Sequence, residues 1–600
     1  MRYPRFNNVS KSREVLSVFG GYNHTLSCKE GEFYDMQNMT SAHYPVLSPR
    51  DKRGLCWKFE NPQGIMDKEG LMWIDGADLY KDGEKIVLDG VEISTDPSLC
   101  PKTMAKMGAY VIIMPDRIWY NTDEGTCGYM EKEYSSAVGA KVSFTLCEAD
   151  GTAVTWHDDV YYESHDPANG DYMMQTSGGS TSLKVWSSTN SMWVTVSSTY
   201  LQVSCPGIGM DFEELDGVEI TIDNSAAGWG DADRIFLNDE GDGKLSTNTY
   251  IVTKDTDYII ITGILKENKS FTNLPITVKR KVPDMAFITE CNNRLWGCSM
   301  DGHEVYCCKL GDVTNWNCFM GIATDSWAAT VGSDGKFTGA ITYNSYPMFF
   351  KENSVVMIAI SSTGAHQTKE KDWRGVQAGS ERSLCILNEV LYYKSATAVC
   401  AYSGAVPQSV SDNLGEVRYT GGIAGTINDR YYLSLADEEG RRHLFVYDTK
   451  RKLWHREDDV CPACFSRMGD DLYYIDAKDH WLKSIRGTLP YQSDGAKKET
   501  AVNWMAESGT IGYESPDMKY VSRICIRLSM EFGAEVDLYI QYDSDGIWEH
   551  KGRMAGKGTR AFMVPLIPKR CDHFKYKIVG KGDCKILAIS KTIEEGSDYR

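Results

Sequence analysis

A short apolar strand, a tight polar turn and a second strand rich in Tyr or Trp recur seven times along this chain, and this repetition constrains its fold more than any other feature. The units fall at residues 70–80 (GLMWIDGADLY), 109–120, 293–306, 346–358, 389–402, 430–454 and 471–482. Each occupies about 30 to 45 residues, the period range of propeller blades. One such sheet is too thin to bury both of its faces. Radial stacking presses each face on the next and leaves only short edges, so a ring of about seven blades answers the pattern physically. Neither a Gly-His nor a Trp-Asp blade signature accompanies the units.

The rest of the composition agrees with strands. The chain has 34 Tyr and 15 Trp among its 600 residues, and such side chains suit a pleated, half-buried surface. A length of this order exceeds one ordinary core, so several domains are expected. Residues 1–53, with Pro45 and Pro49 excluding a helix interior, read as an extended N-terminal arm that must pack on its own core or on a neighbour. Residues 54–136 read as the first part of the propeller and 284–490 as its second part. Between them, residues 137–283 alternate with period two, as in Lys141 to Leu146 and Trp193 to Val196, and read as an all-β module inserted in a loop. Residues 491–600 read as a polar linker followed by a C-terminal β-sandwich of five strand candidates. The expected fold class is all-β: a propeller-like core, an inserted β module and a terminal sandwich.

Charge and motifs narrow the chemistry. A formal net charge of -19 repels phosphate on average, and no basic stretch offers a tight nucleic-acid site. No apolar run approaches a membrane span, and Met1 to Ser10 lack the apolar segment of a secretory signal, so a soluble chain without membrane insertion is expected. The 18 cysteines are irregularly spaced and read as reduced, buried thiols. Cys461 and Cys464 match a Cys-x-x-Cys spacing but lack a second pair or a helix start, so two core thiols are expected; Cys307 and Cys308, adjacent on a strand, face opposite sides. The run from Asn238 to Gly243 offers alternating oxygen ligands, yet Thr249 stands where a calcium loop needs a bidentate Glu, which favours an acidic turn. The 11 histidines form no His-Glu-x-x-His, and Gly-x-Ser-x-Gly and Walker loops are absent. Tyr542 to Trp548 has only part of the aspartate-box spacing of sialidases and reads as a hairpin turn. From these residues no catalytic, cofactor-binding or metal site is assigned, and no cofactor is expected.

Two blocks carry a family resemblance. Phe19-Gly20-Gly21-Tyr22-Asn23, Glu30 to Met39 and Tyr44 to Arg50 resemble the opening of tailed-phage structural proteins. Arg294 to Gly297, Glu304 to Tyr306 and Leu310 to Trp316 resemble the strand and Gly-Asp-x-x-Asn-Trp loop of propeller tail nozzle, or tubular, proteins. The resemblance implies a non-enzymatic virion component of the tail or neck, made in the host cytoplasm and assembled as a hexameric ring. Its partners would be portal, adaptor or other tail proteins, with genomic DNA passing through unbound. Two rival readings remain: a receptor- or carbohydrate-binding tail protein, with Trp548 stacking on sugars, and a propeller-type glycan hydrolase with paired carboxylates over a cleft.

Overall fold

A computed structural model of the chain describes residues 11–88, 91–99, 101–177, 180–223, 237–239, 244–361 and 365–595. Among these residues, seven antiparallel sheets follow one another around a ring. Blade one runs from Pro62–Asp67 to Glu84–Lys85 and blade two from Thr103–Met107 to Thr126–Tyr129. Blade three begins at Met285–Glu290, blade four at Gly339–Tyr343, blade five at Cys385–Leu387 and blade six at Thr420–Ile427. Blade seven joins Pro462–Met468, Asp471–Asp476 and Trp481–Ser484 to Gly54–Lys58, which comes from the other end of the chain. The register Trp481 to Lys58 and Ser484 to Gly54 thus closes the circle with backbone hydrogen bonds. Each of the seven units supplies the two middle strands of a blade, and the sixth also takes in part of the edge strand Leu453–Arg456.

The hydrophobic clusters follow the seams between blades. Trp73 and Leu71 of blade one pack with Tyr473 and Ile475 of blade seven, and Met72 and Ile74 on the opposite face pack with Val111 and Ile113 of blade two. Trp296 and Cys298 of blade three meet Phe349 and Val356 of blade four. Alternation makes this possible, because successive residues of one strand feed the two neighbouring seams. At the axis the innermost strands enclose a cavity of about 610 Å³, lined by Met104, Met285, Phe287 and Phe465. Arg382 reaches from the turn Glu381–Ser383 to donate to the Ala463 carbonyl of blade seven.

Between blades two and three the chain builds a nine-stranded sheet and a four-stranded sheet around a core that includes Phe144, Leu201, Ile220 and Ile261. Asn315 of blade three holds this module by accepting from Gly217 N at 3.2 Å and donating to Leu215 O at 2.6 Å. A Cβ at Gly217 would lie 2.2 Å from the Asn317 carbonyl carbon, so only glycine permits the approach. The terminal sandwich takes strands from both ends of the chain. Lys11–Leu16 pairs with Cys584–Glu595 in one sheet, and Glu32–Gln37 pairs with Asn503–Ser508 in the other. Its core continues into blades five and six through Tyr22, Tyr431, Phe445 and Trp454. Among the described residues no helix is long and apolar enough to cross a membrane.

Two histidines inside this scaffold are held neutral. Burial, with Arg430 adding to it, pushes His455 down to about 3, and burial with Arg294 pushes His366 down to about 4. His366 packs at 5.0 Å from the Trp296 ring and 5.4 Å from Trp327. A histidine with a folded pKa below its unfolded value near 6.5 binds fewer protons when folded. Its stabilising contribution is whole above about pH 6.5 and is lost as pH falls towards the folded value, by up to about 1.4 kcal/mol per unit. Urea midpoints should therefore fall between pH 7 and 4.5, and His455→Gln should flatten that slope. An unchanged slope in the variant would rule out His455 as a source of acid sensitivity.

Candidate functional site

The axis is a poor site for acid–base chemistry. Among its described lining residues Glu381 is the one carboxylate, and the walls are largely Met, Phe and backbone. A larger cavity, about 1020 Å³, opens instead where residues 22–35 lie against blade six. The hairpin turn after Arg430–Ala436 supplies Asp437, Glu438, Glu439 and Arg441; the next strand, Arg442–Asp448, supplies His443 and Phe445 two residues apart on one face; Leu453–Arg456 supplies Arg456. Tyr22, His24, Tyr34 and Asp35 come from the N-terminal side.

The charged groups form one continuous network. His443 Nε2 lies 2.8 Å from Asp437 Oδ2, and its Nδ1 lies 3.2 Å from Asp459 Oδ1. Arg456 donates to Asp35 Oδ1 at 2.8 Å and to Asp459 Oδ1 at 3.0 Å, and its Nη2 is also 3.0 Å from His443 Nδ1. Asp437 accepts from the backbone N–H of Glu439 at 3.1 Å and of Arg441 at 2.8 Å, so its carboxylate is fixed by its own turn. The hydrogen bond from His443, with help from Arg441, holds Asp437 well below the usual carboxylate range. Asp459 is lowered by His443 first and Arg456 second. His443 is raised by Asp459 and Asp437 against burial and the Arg456 charge. Two carboxylates are thus kept ionised and an imidazole between them is biased towards carrying a proton.

Aromatic rings wall the cavity. His24 stacks on Tyr34 at 4.2 Å and on Tyr22 at 5.8 Å, while Tyr22 and Tyr419 each contact Phe445, at 5.6 and 5.4 Å. Burial pushes the Tyr419 phenol up to about 12 and that of Tyr22 higher still, so both remain protonated donors. Gly21 sets this wall in place. Its φ is +83°, and a Cβ there would lie 2.5 Å from the Trp454 carbonyl oxygen.

Sequence reasoning singled out none of these side chains as a site. Asp437 reads as a turn acid and His443 as a lone strand residue, and the segment from Tyr22 to Asp35 lies roughly 400 positions before them, so no spacing joins the two sides. The two-residue alternation of Tyr22 with His24 and of His443 with Phe445 was the available signal. The motifs that were weighed lead elsewhere. Cys461 and Cys464 are partly buried, unpaired thiols, and burial pushes Cys464 up to about 11, the reverse of a reactive thiolate. The described cysteines are all free thiols, and no cluster of potential metal ligands occurs among the described residues. Of the acidic run from Asn238 to Gly243, residues 240–243 lie outside the described residues. Asp543 and Ser544 take positive φ in a hairpin turn, and Lys577 Nζ sits 4.1 Å from the centre of the Trp548 ring, over one of its faces.

No protein-family model matches the chain, and no curated protein matches it. Solved structures that resemble it include an exo-β-1,3-galactanase from Phanerochaete chrysosporium bound to galactose, at 9% identity and a TM-score of 0.22, covering 52% of this chain and 96% of that one. A glycoside hydrolase resembles it at 13% identity and a TM-score of 0.20, covering 51% and 98%. A family 43 arabinoxylan arabinofuranohydrolase from Bacillus subtilis does so at 8% and 0.18, covering 52% and 95%. No residue role is carried over from proteins this distant.

The structures named here are described as glycoside hydrolases and none of them as a phage protein, so the expectation of a tail nozzle or neck protein is withdrawn. The non-enzymatic assignment, the role as a DNA-exit conduit and the placement in a virion or in a host cytoplasm during assembly were implied by that resemblance and are withdrawn with it. The structure also gives a physical reason why the motif misled. Arg294 is buried and spends its guanidinium on the carbonyl oxygens of Cys308 and Ala323, at 2.8 and 2.6 Å, with a further bond to Asp325. Asp312 caps the turn at Thr314 and Asn315 docks the inserted module, so these residues serve local packing that any blade with such a loop requires.

Proposed function

We propose that the protein is directed at glycans and that the cavity between residues 22–35 and blade six is where it binds and cleaves them. The observation that carries this reading is the Asp437–His443 pair on the aromatic-walled cavity, with Asp459 behind it on the Nδ1 side of His443. Saccharides present apolar C–H faces and vicinal hydroxyls, which such walls and ionised carboxylates complement. Glycosidic cleavage needs a proton donor at the leaving oxygen and a carboxylate that supports the oxocarbenium-like transition state. His443 is the group here biased towards holding a proton, and Asp437 and Asp459 are the carboxylates held ionised.

A glycan array followed by assay of released reducing ends tests this. Wild type should retain and cleave a common class of glycan; Asp459→Asn and His443→Gln should lose turnover by about 100-fold or more while keeping the fold. Because both aspartates are held ionised below the usual carboxylate range, activity should persist below about pH 4 as well as up to the raised pKa of His443, and decline above it. A blank array with wild type, or full turnover in both variants, would contradict the assignment.

A further inference from the structure

One face of the terminal sandwich carries a charge opposite to that of the chain as a whole. Its four-stranded sheet sets Lys11–Leu16, Cys584–Glu595, Lys519–Met530 and Gly558–Pro565 side by side in that order. Ile524, Ile526 and Leu528 point into the core, so alternation turns Arg523, Cys525 and Arg527 outwards. The register then fixes their neighbours on the outer face. Arg13 and Thr592 lie in line with Arg523; Val15, Ser590 and Met563 lie in line with Cys525; Ala588 and Ala561 flank Arg527.

Arg13, Arg523 and Arg527 are all exposed, and among the described residues none of them has an ion pair. Arg523 Nη1 approaches only Met563 Sδ, at 3.8 Å. Glu594, the carboxylate that the register places on this face, is taken by Lys11 at 3.0 Å. In a chain of net charge -19, the face therefore offers three guanidinium groups and no free carboxylate among the described residues. Strand geometry spaces them about 10 Å across the sheet, from Arg13 to Arg523, and about 13 Å along it, from Arg523 to Arg527. Between the two arginine rows runs an apolar one, in which Val15 is 63% and Met563 61% exposed. A two-fold contact of this face with its own copy would set arginine against arginine, which disfavours that occupant.

We infer that this outer face binds an acidic polysaccharide, a polymer whose sugar rings carry carboxylates, along the line from Arg13 through Arg523 to Arg527. Guanidinium forks match carboxylates, the apolar row complements the C–H faces of sugar rings, and the acidic remainder of the surface directs a polyanion to this one patch. The choice of a glycan as the polymer rests on the reading above, but the site is separate from the cavity at blade six.

Isothermal titration of the full-length protein with a galacturonate oligomer, its methyl ester and a DNA duplex of matched length tests this. Wild type should bind the oligomer, more weakly as salt rises, and bind the neutral ester and the duplex at least about tenfold less tightly. The double variant Arg523→Gln/Arg527→Gln should weaken oligomer binding by about tenfold or more, and both positions are exposed, so the core is untouched. His443→Gln should bind the oligomer as wild type does, and the double variant should keep the turnover assigned to blade six, so the two readings fail separately. No binding by wild type, equal affinity for the ester or the duplex, equal binding by the double variant, or loss of binding in His443→Gln would overturn the proposal. Self-association of wild type that the double variant lacks would give the face to a second copy and overturn it as well.

Discussion

Arg53→Ala should lower the free energy of unfolding by about 3–5 kcal/mol, because it strips the partner from a buried carboxylate. Arg53 and Glu457 are 4% and 3% exposed, and they meet at 2.8 Å. The same guanidinium reaches Asp458 at 2.9 Å and lies over the Tyr474 ring at 5.3 Å. Burial pushes Glu457 up even with Arg53 beside it, and Arg53 is the strongest of the three cations, ahead of Arg50 and Arg430, that favour its ionised form. Position matters as much as pairing. Arg53 immediately precedes Gly54–Lys58, the strand that closes blade seven, and its own N–H donates to Glu499 at 3.0 Å. Loss of the pair should loosen the seam where the two ends of the chain meet. Guanidinium unfolding of Arg53→Ala, Glu457→Gln and the double variant measures this. The double variant should be less destabilised than the sum of the two single ones, since neither charge is then left alone. Additive losses, or a loss under about 1 kcal/mol for Arg53→Ala, would show that the ring closes without this cluster.

Trp454→Ala should cost about 3–5 kcal/mol and should also abolish glycan binding, a pairing of effects that a remote core change does not predict. The indole is 1% exposed, donates to Val410 O at 2.6 Å, and packs at 4.9 Å from Tyr447 and 6.4 Å from Phe445. Gly21 rests on its carbonyl, and Tyr22 and His24 follow directly. Truncation leaves a cavity beneath the wall that positions those two rings. A useful control is Trp73→Ala in the seam of blades one and seven, which should cost a similar amount but leave binding by the remaining folded protein intact. Equal loss of binding in both variants would mean that general destabilisation, not the position of the wall, is responsible.

The blades could be read from the sequence because each places its aromatic and β-branched residues in an uninterrupted run, as in Leu71–Asp75 and Asp471–Asp476, and such runs are local. What local patterns cannot carry is pairing at a distance. The strand Gly54–Lys58 looks like the start of the first blade, and only the register with Trp481–Ser484 makes it the end of the last. The N-terminal segment likewise looks extended and separate, whereas Lys11–Leu16 and Glu32–Gln37 complete the two sheets of the terminal sandwich. The candidate site was invisible for the same reason. Tyr22, Asp35 and His443 are ordinary residues in their own segments, and they acquire meaning only after the sandwich is fastened to blade six. The block from Arg294 to Trp316 shows the opposite error, in which residues fixed by loop packing resemble the mark of a family.

Hydrogen–deuterium exchange with and without the best-retained glycan tests most directly where the ligand sits. Protection should appear in two separate stretches, residues 22–35 and 412–459, with the axial strands Thr103–Met107 and Met285–Glu290 unchanged. Protection of the axial strands, with residues 22–35 exchanging as before, would place the glycan at the centre of the ring and contradict the assignment of the site to blade six.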